Sequence, residues 1–215
     1  MKIIKNSLHA LLVILMASVC SYAVAQETFQ SAEMIDAATG NPVVGGGVLL
    51  RSNDSITARV STSGLQKNAS YSVWWVVFNT PSNCITPGAC GLPDVFLNGA
   101  SPPLNITQID LAEISVLYAA GFITGNDGVA NVTAHLNAGE PPDGWAVNFG
   151  WMGMSGLKTG NGHNAEVHMV VRSHGLSERS AWFDLAVGVA TSTFMGECDQ
   201  YNFCFDDQAI LFSPL

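Results

Sequence analysis

Residues 71–78 read Tyr-Ser-Val-Trp-Trp-Val-Val-Phe. Aromatic and β-branched side chains crowd this run, and such residues fit a pleated surface better than a helix. At a period of two, Tyr71, Val73, Trp75 and Val77 share one face, and Trp74, Val76 and Phe78 share the other. Apart from Ser72 both faces are apolar, which predicts a central strand covered on both sides.

Strand patterns continue on either side of it. Val43 to Arg51 is apolar with three consecutive glycines, and Ile56 to Val60 alternates weakly. Val116 to Thr124 and Val129 to Leu136 flank Gly125-Asn126-Asp127-Gly128, a spacing that predicts a hairpin. In its second arm Ala130, Val132, Ala134 and Leu136 face inward, while Asn131, Thr133 and His135 face out. Trp145 to Met152, Ala165 to Arg172, Trp182 to Val189 and Gln208 to Phe212 complete the set. Only Ile109 to Tyr118 carries a competing helical pattern. No repeat or linker divides the chain. Many short strands punctuated by Gly, Pro, Asn and Asp predict an all-β fold with little helix. The architecture expected is a single antiparallel β-sandwich, immunoglobulin-like or jelly-roll-like.

The N-terminus reads as a signal peptide. Lys2 and Lys5 precede an apolar run from Leu8 to Val19, and Ala23-Val24-Ala25 forms a small-x-small cleavage site. The run is shorter than the ~20 residues a membrane span needs. Cleavage would leave residues 26–215 as a single β-rich domain in a secreted or periplasmic location. The eight Lys and Arg lose two with the leader, leaving six against seventeen carboxylates and a formal net charge of −11. A chain this acidic is a poor match for phosphate backbones, so no nucleic-acid partner is expected. Nor is stable membrane insertion expected after signal removal. Four cysteines would remain in two close pairs, predicting the disulfides Cys84–Cys90 and Cys198–Cys204, with a four-thiolate zinc site as the rival reading.

No catalytic motif stands out: Gly153-Met154-Ser155-Gly156 lacks nucleophile-elbow spacing. Chemistry concentrates in residues 161–175, NGHNAEVHMVVRSHG. On a strand, Glu166, His168, Val170 and Arg172 share one face, and Val167, Met169 and Val171 enter the core. Glu166 and His168 then lie about 6.6 Å apart along the strand, near enough to reach one atom, whereas His174 lies about 20 Å beyond His168. The favoured reading of this face is an ionic ladder or hydrogen-bond network. A second is a divalent or copper ion held by His168 and Glu166 with His163 or His135. A third is a catalytic or ligand-binding set of Glu166, His168 and Arg172. Met152, Met154 and Met169 raise copper again, but gap filling in the core suits them better. Trp145, Phe149 and Trp151 would stack sugars if exposed, although core packing is the default for such residues. Glu197, Asp199, Asp206 and Asp207 could offer calcium oxygens, but no EF-hand spacing is present, and a solvated acidic loop is preferred. Asn53, Asn68, Asn105 and Asn131 begin Asn-x-Ser/Thr sequons.

YSVWWVVFN from Tyr71, Cys84 to Cys90-Gly91-Leu92-Pro93-Asp94, SVLYAAGFITGNDGVANVTAHL from Ser115 and AEVHMVVRSHG from Ala165 together carry a resemblance. The chain resembles a group of secreted bacterial β-sandwich-like proteins of no established activity. That resemblance implies export and one domain, and supplies no catalytic residues. The function expected is an exported, non-enzymatic protein that binds a small molecule, a sugar, a metal or a protein. The alternatives are a secreted metal-assisted hydrolase or lyase using Glu166 and His168, and a carbohydrate-binding module.

Overall fold

A computed structural model describes residues 27–99, 103–139, 156–176 and 205–215. Eight antiparallel strands dominate it: β1 Thr28–Asp36, β2 Pro42–Arg51, β3 Ser55–Thr62, β4 Ala69–Phe78, β5 Ile114–Ile123, β6 Ala130–Asn137, β7 Glu166–Leu176 and β8 Phe205–Phe212. They form one sheet in the order β5-β4-β7-β8-β1-β2-β3-β6. The all-β class follows the sequence pattern. In place of two facing sheets, the described strands make one continuous sheet curled into a near-barrel. β1 carries no clear sequence signal.

Two short connections force the curl. Residues 124–129 join β5 to β6, the first and last strands in the order. Seven strand spacings in a flat sheet would separate those strands by about 34 Å. Six linking residues reach about 25 Å at full extension. The sheet must therefore bend until its ends approach. Residues 63–68, which take β3 to β4, run beside the first crossover and bond to it. Leu65 N–H donates to Gly128 O (3.1 Å) and Asn68 N–H to Gly125 O (3.3 Å). At Gly128 (φ +66°) a Cβ would come within 2.4 Å of Leu65 O, so only glycine permits this approach. The expected hairpin across residues 125–128 is thus corrected: β5 pairs with β4, and β6 pairs with β3. The Gly-Asn-Asp-Gly turn is real, but its backbone serves the neighbouring crossover rather than a local strand pair.

One apolar core fills the curl and draws on every strand, including Met34, Leu49, Ile56, Trp75, Leu117, Val132, Met169 and Phe212. The three glycines of β2 lie where space is short. A Cβ on Gly47 would sit 2.6 Å from Ile210 Cδ1. Outward faces of β3 and β6 are polar, with Arg59, Ser61, Asn131, Thr133 and His135 exposed. No described helix is long and apolar enough to cross a membrane.

Between β4 and β5 the chain leaves the sheet for residues 79–113. This excursion holds a 3₁₀ turn at Pro81–Asn83, α1 at Leu92–Val95 and α2 at Ile106–Ala112. The helical pattern read at Ile109 to Tyr118 resolves into α2 followed by β5. Glu113, in the left-handed conformation (φ 52°, ψ 53°), separates them. The excursion packs on the outer face of the sheet through a second core of Trp74, Phe78, Cys84, Cys90, Val95, Ile109, Ala112 and Ile114. β4 is therefore covered on both faces, as its sequence predicts.

Candidate functional site

Alternation along β7 places Glu166, His168, Val170 and Arg172 outward, and Val167, Met169 and Val171 in the core. Glu166 and His168 lie buried beneath the excursion, 3 % and 8 % exposed. Glu166 Oε1 and His168 Nε2 are hydrogen-bonded at 2.8 Å. The same oxygen accepts the Cys90 backbone N–H at 3.0 Å. The His168 ring lies against Phe78, with centroids 4.9 Å apart. Glu166 Oε2 is buried without a hydrogen-bond partner. A buried polar atom without a partner is costly, so this corner tolerates strain that an apolar pair would avoid.

Above the pair sits the disulfide loop. Cys84 and Cys90 are bonded, with Cα atoms 5.3 Å apart. The buried carboxylate of Asp94 fixes this loop from the other side, accepting Ile85 N–H on Oδ1 (2.7 Å) and Gly91 N–H on Oδ2 (2.8 Å). Two carboxylates, one from the excursion and one from the sheet, thus hold backbone donors of residues 85–91. Asparagine side chains extend the stitching. Asn83 Nδ2 donates to Leu111 O (2.9 Å), and Asn79 Nδ2 donates to Gly156 O (2.8 Å).

The remaining residues singled out from the sequence lie elsewhere. Arg172 pairs with Asp206 at 3.0 Å rather than with Glu166. His135 is exposed on β6 and bonded to Thr57 Oγ1 (2.7 Å) and Asn137 Oδ1 (2.8 Å). His163 bonds Thr28 Oγ1 at 3.1 Å. The four residues proposed for one metal therefore do not converge, because β6 and the loop before β7 direct their histidines to other partners. Among the described residues no group of three His, Cys, Asp or Glu side chains could hold a metal ion. Asp206 and Asp207 are strand residues rather than part of a solvated acidic loop. Asp207 accepts the Tyr71 hydroxyl at 3.1 Å, and burial raises both carboxyl pKa values. His174 Nε2 and Ser72 Oγ are hydrogen-bonded at 2.9 Å, and Trp74 Nε1–H donates to the same Ser72 oxygen at 2.7 Å. Burial, with the Arg172 charge, lowers the His174 pKa to about 3. Trp145, Phe149, Trp151, Cys198, Cys204, Glu197, Asp199 and the strand expected at Trp182 to Val189 lie outside the described residues.

Sequence reasoning passes over Arg51. It ends the apolar run of β2, yet it is fully buried. Nε donates to Gln30 Oε1 (3.1 Å), Nη1 to Gly162 O and Ala165 O, and Nη2 to Phe212 O and Ser213 O. Burial lowers its pKa to about 10, partly offset by the charge of Glu166, so the guanidinium stays charged at neutral pH. Five neutral acceptors from three segments, β1, the loop before β7 and the end of β8, surround it. A lone arginine at a strand end gives no sequence cue to such a role. Asp94 gives half a cue: its bond to Gly91 N–H is the N3-to-N-cap contact that opens α1, whereas its bond to Ile85 N–H is fixed by the loop path.

No family model, no curated protein and no solved structure matches this chain.

Proposed function

We propose that this is an exported, non-enzymatic protein that binds a protein partner through the disulfide-stapled excursion at residues 79–113. The observation that carries the reading is a contrast within that segment. Its backbone is pinned by Cys84–Cys90, Asp94 and Glu166, yet it turns large apolar side chains to solvent. Ile85 is 57 % exposed, Leu97 65 % and Leu111 52 %. Rigid display of apolar surface costs solubility and is characteristic of recognition surfaces. Residues 68–157 contain no Lys or Arg, so this surface suits an apolar protein contact and not a phosphate-bearing ligand. The barrel interior is filled with side chains, which directs binding to the outside. The leader-like residues 1–25 and the Cys84–Cys90 bond support export into an oxidising compartment.

The test compares an Ile85→Ser, Leu97→Ser double variant with a Phe29→Ser control in cross-linking from the native secreted fraction. The reading expects one saturable protein adduct with the wild type and the control, lost in the double variant whose circular dichroism is unchanged. An adduct that survives the double substitution contradicts it.

A second reading rests on Glu166 Oε2. A buried carboxylate oxygen without a donor suits a bound cation, and His168 lies beside it. That reading is a metal-assisted hydrolase or lyase, with Glu166 as base or ligand. Stoichiometric metal in untagged protein, lost in His168→Ala, would favour it. Metal-free protein whose His168→Ala variant loses only stability would favour the anchoring role.

A further inference from the structure

β8 comes last in sequence among the described strands, yet it occupies the fourth place in the eight-strand sheet. Among the described residues, removing it leaves two groups of strands with no pairing between them, β5-β4-β7 and β1-β2-β3-β6. Polar bonds from both groups reach it, beside direct ties such as Arg51 to Ala165 O and Gly162 N–H to Asn53 O. From the first group, the Tyr71 hydroxyl donates to Asp207 and Arg172 pairs with Asp206. From the second, Thr62 Oγ1 donates to Gln208 Oε1 and Arg51 donates to Phe212 O. Ile210 and Phe212 are fully buried in the shared core. Among the described residues, each group without β8 is a three- or four-stranded ribbon that loses Ile210 and Phe212 from its apolar face, and ribbons this small are marginal on their own.

We propose that β8 is the keystone of a single cooperative unit, so that the chain acquires its fold only when residues 205–215 are present. A chain emerging N-terminus first would then stay unfolded until β8 is delivered. That suits a protein threaded across a membrane before folding. The physical claim stands without export, while its biological use rests on the export proposed above.

Native-state hydrogen exchange on the full chain tests the coupling. The most protected amides of β8, β3 and β7 should have protection factors within tenfold of one another and should fall together as denaturant is added. Protection in β8 more than tenfold below that of β3 and β7, and insensitive to denaturant, would show β8 detaching from a barrel that stands without it. That result overturns the proposal. A second readout uses Ala209→Pro, which removes a ladder donor in the middle of β8. Protection should then vanish in both groups and return when a synthetic peptide of residues 205–215 is added. Amides of β3 or β7 that stay protected in this variant, without peptide, contradict it. Neither measurement depends on where the protein resides, so failure here is separable from failure of export.

Discussion

The two faces of β4 and β7 obey the same alternation but meet different surroundings. Inward, Tyr71, Val73, Trp75, Val77, Val167, Met169 and Val171 join one apolar core. Outward, Trp74 and Phe78 share their layer with a buried carboxylate, a buried imidazole and a disulfide. The inner face needs only volume and hydrophobicity, which many sequences supply. The outer face must hold an irregular loop whose backbone N–H groups have no strand to pair with, and Glu166 answers that need at Cys90. A buried acid is an expensive way to make a core and an effective way to place a loop.

The contrast can be broken from the inside first. Trp75→Ala leaves a cavity in the interior and should cost about 3–5 kcal/mol in urea denaturation. A loss below about 1 kcal/mol would mean the interior is not the packed core described. On the outer face, Glu166→Ala strands the Cys90 N–H and the His168 ring, at about 1–3 kcal/mol for each group left unsatisfied. The Cys84→Ser, Cys90→Ser variant should lose about 2 kcal/mol, the loop-closure entropy of so short a ring. If the loop is placed by Glu166 as argued, combining it with Glu166→Ala should give less than the sum of the two losses.

The smallest effect concerns pH. His174 has its folded pKa lowered to about 3, below the ordinary 6.5, by burial and by Arg172. The unfolded chain therefore takes up this proton first, and the stability associated with neutral His174 is lost as pH falls from about 6.5 toward 3. Asp206 and Asp207 face the same region with raised values and act in the opposite sense, since the folded state binds their protons first. Between pH 7 and 4 the wild type should lose about 5 °C more in Tm than His174→Gln. Equal losses would place His174 in a solvated setting.

Period-two alternation made much of this fold legible. It placed both faces of β4 and β7 correctly and brought Glu166 beside His168. Cysteine spacing gave the short Cys84–Cys90 disulfide. Long-range pairing was not legible, because a Gly-Asn-Asp-Gly turn looks the same whether it closes a hairpin or crosses the seam of a barrel. The distinction lies in Leu65 and Asn68, some sixty residues away, which bond to the turn. Histidine spacing misled for a related reason. His135 and His163 are chemically suited to a metal, but their neighbours Thr57 and Thr28 come from strands whose registers no local pattern fixes. Arg51 escaped notice because its acceptors are all carbonyl and amide oxygens, which leave no trace in composition.

The central claim is that Glu166 and His168 serve to hold the disulfide loop in place on the barrel. Backbone ¹⁵N relaxation of residues 84–91, in the wild type and in Glu166→Ala, tests it most directly. Order parameters near about 0.85 should drop below about 0.6 in the variant, while those of Val167 to Val171 stay unchanged. Unchanged values across residues 84–91 would contradict the account and return the pair to other chemistry.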